Sequence, residues 1–389
     1  MNLDFNNTQI AFASKSNSEL RKASWLFGMM NRSWLVNLAS KMGIFAVEWK
    51  LPFAETIVKK TIFEQFCGGT SLEDCRRTIS RLGNTGTLTV LDYGAEAKES
   101  EIDFDHTMNE FIRAINFASG TDKVPVVSIK VTGMARFALL EKIHSRVALN
   151  EEEAEEYNRV KKRVETVCAA AQKRGIAVFI DAEESWIQDP VDDLCEKMMS
   201  CFNKEKISVY NTYQMYRHDR MEYLRNSFER ALKGNYILGA KLVRGAYMEK
   251  ERLRAEQMGY SSPINATKED TDALYNEAVK FVVKNYEKIA SCCATHNADS
   301  TRLQASLIDE LNIPKNHPHL TFCQLYGMSD NLTFNLSNAG YLAGKYVPYG
   351  SVRDVIPYLL RRAQENTSVS GDMGREYQFI QKEIKRRGL

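Results

Sequence analysis

The run L-T-V-L-D-Y, Leu88 to Tyr93, marks where the chain changes character. It is short, nearly continuous in apolar residues and rich in β-favouring side chains. Similar runs follow at Pro125–Lys130, Ala177–Asp181, Ser208–Tyr213, Gly239–Val243, Ala290–Thr295, Leu320–Leu325 and Gly344–Pro348, separated by longer amphipathic stretches. A strand with one wet face alternates polar and apolar residues, whereas an unbroken apolar run is buried on both faces. Burial on both faces, alternating with helices, means parallel strands joined by crossover helices. Eight such units predict an α/β fold of the closed (β/α)8 TIM-type barrel class. A doubly wound open sheet is the competitor, but it would usually bring a Gly-rich fingerprint after its first strand. Neither G-x-G-x-x-G nor G-x-x-x-x-G-K-[ST] occurs.

Upstream of Leu88 the pattern is helical. Apolar residues recur at three-to-four spacing through the run from Trp25 to Phe45, and S-L-E-D from Ser71 reads as a capping box opening another helix. Residues 1–85 are therefore expected to form an N-terminal helical segment and residues 86–389 the barrel. Trp25, Met29, Met30 and Trp34 lie at helical spacing; such a stripe is more often packing than a membrane-surface contact, and both readings stay open. Asn150–Glu156 reads as an acidic helix start.

With 389 residues, 44% of them hydrophobic and 26% charged, the chain is long enough for one large core or two modest ones, and disorder of the whole is excluded. A formal net charge of +2 suggests no nucleic-acid-binding field. The eight cysteines lack both the C-x-x-C spacing of a zinc site and the density of a disulfide scaffold, and read as core residues of a reducing compartment. Of the six histidines, the pair His317 and His319 lies in a polar loop with no acidic or thiol ligands nearby in sequence, and no metal is expected. No run of about 18 apolar residues occurs. The N-terminus resembles neither a signal nor a transit peptide, which leads us to expect a cytoplasmic, bacterial protein.

In a barrel of this kind the chemistry collects at the carboxyl ends of the strands. Those positions hold Lys130, Asp181, Gln214, the run Arg244 to Tyr247, Thr295, His296, Leu325 and Tyr346. Each alone has an ordinary reading, such as a rim ion pair between Lys130 and Asp181. Their joint placement favours function. After Tyr346 come a Pro/Gly turn, a Ser351/Asp354 capping pair and a helix on which Tyr358, Arg361, Arg362 and Glu365 share one face, opposite an apolar stripe of Ile356, Leu359, Leu360 and Ala363. An adjacent arginine pair with an aromatic neighbour suits a small carboxylate with an apolar body, although an isolated R-R-x-x-E is more often a solvated face. Pro357 is expected to make the helix start late or kink.

Tyr346, twelve positions before Y-L-L-R-R-x-x-E-N, resembles the C-terminal signature of proline dehydrogenases, flavin enzymes that oxidise L-proline. K-L-V-R-G-A-Y from Lys241, D-A-E-E from Asp181 and A-T-H-N from Ala294 are similar to further signatures of that family, in its order, and together the motifs span roughly residues 86–370. The resemblance implies FAD lying across the strand ends. Gln214 and Lys241 would contact its ring system, Arg244, Gly245 and Ala246 the chain beyond it, and Thr295 and His296 its more remote part. Many members carry arginine where this chain has Lys241. Arg361 and Arg362, with Lys130, would hold the substrate carboxylate. Tyr346, Tyr358, Tyr247, Ala246, Leu242 and Leu325 would wall the ring, Glu365 would fix an arginine, and Asp181 would organise Tyr346 or the cofactor. The implied reaction is oxidation of L-proline to Δ1-pyrroline-5-carboxylate, with electrons passed to a membrane quinone through a peripheral contact. The chain carries no motifs of a fused aldehyde dehydrogenase, so a separate pyrroline-5-carboxylate dehydrogenase is the expected consumer of the product. Hydroxyproline oxidation within the family, a lysine Schiff-base aldolase using Lys130, and a non-catalytic anion-binding protein are the alternatives.

Overall fold

The computed structural model describes residues 3–30, 56, 58–94, 98–368 and 372–389, with side chains for all of these except 363–373. Eight parallel strands close into a barrel in the order β1 to β8. They are β1 (Leu88–Tyr93), β2 (Val126–Ile129), β3 (Ala177–Ile180), β4 (Val209–Gln214), β5 (Leu238–Val243), β6 (Ile289–Ala294), β7 (Leu320–Leu325) and β8 (Ala343–Tyr349), each within one residue of its apolar run at either end. Helices precede β1 as α1 (Thr8–Ala11), α2 (Asn17–Met30) and α3 (Leu72–Gly83). Between strands run α4 (Glu101–Ala118), α5 (Phe137–His144), α6 (Glu151–Arg174), α7 (Gln188–Phe202), α8 (Arg220–Gly234), α9 (Met248–Met258), α10 (Lys268–Lys284), α11 (Ala298–Glu310) and α12 (Asp330–Asn338). After β8 come α13 (Val352–Ser368) and α14 (Asp372–Arg386).

Local chemistry sets these boundaries. The Asn150 side chain accepts from the Glu153 amide and Glu153 caps it back, while Gly175 ends α6 in the left-handed conformation at φ 69. Glu151 to Glu153 at the first turn, with Lys173 and Arg174 at the last, also suit the helix dipole. Ser71 caps α3 through the Asp74 amide. In the sheet, all six residues of β4 are buried. Its neighbour β5 approaches so closely that a Cβ on Gly239 would meet the Val209 carbonyl oxygen at 2.2 Å, so only glycine fits there.

The chain divides into two compact units, Met1–Gly94 with Cys323–Leu389, and Ala95–Phe322. In the first, β1 and β8 pair from Leu88 opposite Gly344 to Tyr93 opposite Tyr349. One apolar cluster there joins Leu20, Ala23 and Phe27 of α2, Phe66, and Val352, Val355 and Leu359 of α13. In the second, β2 to β6 form continuous parallel ladders.

Three expectations need correction. Helix α13 starts at Val352 and runs through Pro357 rather than beginning after it, because a proline one and a half turns in removes a single hydrogen bond that the rest of the helix tolerates. Tyr358 and Arg362 are buried with Val355 and Leu359 instead of forming a face opposite the apolar residues. On α2, Met30 packs in the core but Trp25 and Met29 are exposed, at 58% and 37%, so packing does not account for the whole stripe. Trp34 lies outside the described residues. Seven cysteines are buried as expected and Cys201 is exposed. Among the described residues no helix is long and apolar enough to cross a membrane.

Candidate active site

The candidate residues form one set in each unit. In the second unit, Lys241 inside β5 reaches past the intervening β4 and donates to Asp181, the residue after β3, at 2.6 Å, with both groups buried. The ammonium also lies 5.2 Å from the centre of the Phe179 ring. A buried charge needs a partner with good geometry, so this lysine is held in one place. Lys130 directly follows β2 and is 6% exposed.

Arg244, just beyond β5, is gripped on three sides. Its guanidinium donates to Asp272 at 2.7 Å, Thr295 Oγ1 at 2.5 Å and Ser300 Oγ at 3.0 Å, and stacks 4.4 Å from the Tyr275 ring centre. Burial would raise the Asp272 carboxyl, but hydrogen bonds from Lys268 and Arg244 hold it below the ordinary carboxylate range. Thr295 also accepts from the Asn297 amide, which starts α11, so this corner fixes a guanidinium fork beside a helix N-terminus. His296 is half-buried next to it. Gly245 has φ +141, and a Cβ there would meet the Tyr216 ring at 2.5 Å. A side chain at this position is barred twice, by backbone and by space. Ala246 is exposed, and Tyr247 stands at the N-cap of α9.

Gln214, 2% exposed at the end of β4, donates its Nε2 to the Glu183 carbonyl at 2.8 Å. Its Oε1 is buried and finds no hydrogen-bond partner among the described residues. A buried acceptor in that state has room for a donor from a ligand or a bound water. The oxidised flavin ring carries one ring N–H, and a fixed ammonium and guanidinium nearby suit an anionic cofactor, so these side chains fit FAD.

In the first unit, Tyr346 on β8 is 7% exposed, and its carbonyl accepts from the Tyr326 amide at 2.9 Å, tying the exit of β7 to β8. On α13 the Arg362 guanidinium lies 5.4 Å from the Tyr358 ring centre and is 7% exposed; Arg361 is half-buried. Burial of Arg362 removes the reading of this pair as a solvated helix face. Ser351 caps α13 through the Asp354 amide as the spacing indicated. Leu325 packs against the apolar cluster under α13. The side chain of Glu365 lies outside the described residues.

Sequence reasoning missed two groups here. Glu183 was passed over inside D-A-E-E although it anchors Gln214. Lys345 is fully buried beside Tyr346, paired with Asp330 at 2.9 Å and bonded to the Met328 carbonyl. A lysine inside a two-faced apolar strand was the available signal, since such a charge must find a partner.

A closed (β/α)8 barrel whose strand ends carry paired charges, a caged arginine and an orphaned acceptor has the architecture of a barrel enzyme. The sequence profile of the family described as proline dehydrogenase matches residues 75–375. The carbapenem antibiotics biosynthesis protein CarD of Pectobacterium carotovorum subsp. carotovorum is 33% identical over 90% of this chain and 91% of its own length. The mitochondrial proline dehydrogenase 1 of Arabidopsis thaliana is 32% identical over 85% of this chain and 75% of its own. Among solved structures, proline utilization A from Bdellovibrio bacteriovorus, inactivated by N-propargylglycine, superposes on 95% of this chain with a TM-score of 0.75 at 22% identity. That likeness is one of fold, and the chain spans 42% of that longer protein. The chain belongs to the proline dehydrogenase family, and so to the oxidoreductases.

Proposed function

We propose that the chain oxidises L-proline to Δ1-pyrroline-5-carboxylate with FAD bound at the strand ends and a quinone as the final electron acceptor. The observation that carries the cofactor assignment is the buried, unpartnered Oε1 of Gln214 beside the fixed Lys241–Asp181 pair and the caged Arg244. Bound FAD would supply a two-electron acceptor for the hydride that leaves the ring carbon next to nitrogen.

The chain's own residues do the rest. Arg361 and Arg362, with Lys130, hold the carboxylate; Tyr358 under Arg362 keeps its fork in plane. Tyr346, Tyr247, Leu242, Ala246 and Leu325 enclose the apolar ring. Cations around the substrate disfavour its ammonium form, so proline binds with the ring nitrogen neutral and its lone pair available. Lys241 offers positive charge where the reduced ring system becomes negative, and Asp181 keeps that charge in place. Thr295 and His296 hold the remote part of the cofactor through the corner built around Arg244. A pyrroline-5-carboxylate dehydrogenase consumes the product, and the protein works in the cytoplasm with a peripheral membrane encounter. Residues 1–85 act as a helical segment ahead of the cofactor-binding barrel of 86–389.

The purified protein is expected to be yellow, with a flavin spectrum that bleaches on adding L-proline. Colourless protein that takes up no FAD would sink the reading. A yellow protein that proline does not bleach would keep the cofactor and discard the substrate.

A further inference from the structure

Behind the strand ends of the second unit runs a chain of buried polar groups that the proposed reaction does not use. It begins at Arg220 on α8, which donates to Asp192 Oδ2 at 2.6 Å. Asp192 Oδ1 accepts from Asn211 Nδ2 and from Gln188 Nε2, both at 2.9 Å. Gln188 Oε1 in turn accepts the Glu183 amide at 3.2 Å. The Glu183 carboxylate then takes two hydrogen bonds from one residue, Thr132 Oγ1 at 2.6 Å and the Thr132 amide at 3.3 Å. Its carbonyl receives Gln214 Nε2. Exposure is 4% for Glu183, 2% for Thr132 and 0% for Gln188, so no solvent competes for these bonds.

Two consequences follow from donor and acceptor chemistry. A carbonyl oxygen only accepts, so the Glu183 carbonyl obliges Gln214 to turn its NH2 that way and to present Oε1 on the other side. Thr132 sits two residues beyond Lys130, in the single turn Val131–Gly133, so the Glu183 carboxylate also clamps the loop on which that lysine rests.

We propose that Glu183 is a positioning residue, which fixes Gln214 as a hydrogen-bond acceptor for the ring N–H of the flavin and at the same time locks the loop that carries Lys130. This rests on the flavin reading above. Glu183 touches neither cofactor nor substrate; it acts through Thr132 and Gln214.

The test uses the flavin-loaded protein and the variants Thr132→Val, which keeps the side-chain shape but deletes the donor, Thr132→Ser, which restores it, and Glu183→Gln. Loosening Lys130 should raise KM for proline about tenfold, the effect of one hydrogen bond to a charged group. Loosening Gln214 should move the reduction potential of the bound flavin upward, because an acceptor on the ring N–H favours the oxidised ring. Thr132→Ser should return both values to those of the unaltered protein. If Thr132→Val lowers the melting temperature while KM and potential stay put, Glu183 is a structural brace and the proposal fails. If Glu183→Gln does not fold, Thr132→Val decides alone. A wild-type protein without flavin would instead overturn the cofactor reading, an outcome seen before any variant is made.

Discussion

Tyr346 carries the specificity argument at the scale of single residues. It is nearly buried on β8, with its backbone held by the Tyr326 amide, so its ring has little freedom to move aside. A phenol packed on the substrate ring leaves little room for a 4-hydroxyl group. L-Proline should therefore be strongly preferred over trans-4-hydroxy-L-proline, and Tyr346→Ser should lower kcat/KM for proline by about 1–3 kcal/mol in transition-state binding while narrowing the gap. Steady-state kinetics with both amino acids checks this; equal losses for the two substrates would mean the ring only plugs the barrel mouth. Side chains at strand ends were legible in the sequence because barrel geometry assigns them a place. Arg362 was legible as a residue but not as a buried one. A helical wheel assumes that polar means solvent, and Arg362 violates the assumption by lying over Tyr358 with Val355 and Leu359 on the same side. Glu183 escaped because its partners come from the turn after β2, from β4 and from α7, and no spacing within D-A-E-E reports on them.

At the scale of elements, all eight strands could be read to within one residue, since burial on both faces leaves an unbroken apolar run that solvent-facing elements lack. Helix ends were readable where a cap is written in the chain, as at Asn150 and Ser71, both of which cap as expected. Helix α13 was harder. Pro357 lies inside it and is exposed, removes the bond that its amide would have given the Arg353 carbonyl, and crowds that carbonyl. Packing of Val352, Val355 and Leu359 into the apolar cluster outweighs this cost. Pro357→Ala should accordingly stabilise the protein, by about 1–3 kcal/mol, with KM for proline unchanged. Urea denaturation measures it. A loss of stability would show that the fixed φ of the proline is needed to set the first turn.

At the scale of the whole molecule, the first unit buries an unusual number of charges around the start of α12. Asp330 pairs with Lys345 at 2.9 Å and with Lys15 at 3.4 Å; burial opposes its ionisation, but the two ammonium groups hold its carboxyl below the ordinary range. Glu376 of α14 accepts the amide of Ser329, a non-glycine residue at φ 50, and is pushed up to about 7, first by burial and then by the charge of Asp330. An acid whose folded value lies above its unfolded value stabilises the fold while protonated. The contribution is complete below about pH 4.5 and is lost as pH rises through about 7, a span worth roughly 3 kcal/mol. Hydrogen exchange of α14 amides should thus quicken between about pH 5 and 7 beyond the intrinsic rise, and Glu376→Gln should abolish the excess; an unchanged profile in that variant would remove Glu376 as the cause. The cluster that places Phe27 and Phe66 with Val355 and Leu359 also ties the start of the chain to its end. Residues before Cys75 lie outside the family profile, yet Phe27, Phe63 and Phe66 among them pack in one cluster with Val355 and Leu359 of the arginine-bearing helix. What those rings supply is filled volume, so other apolar side chains of the same total size would seat that helix as well.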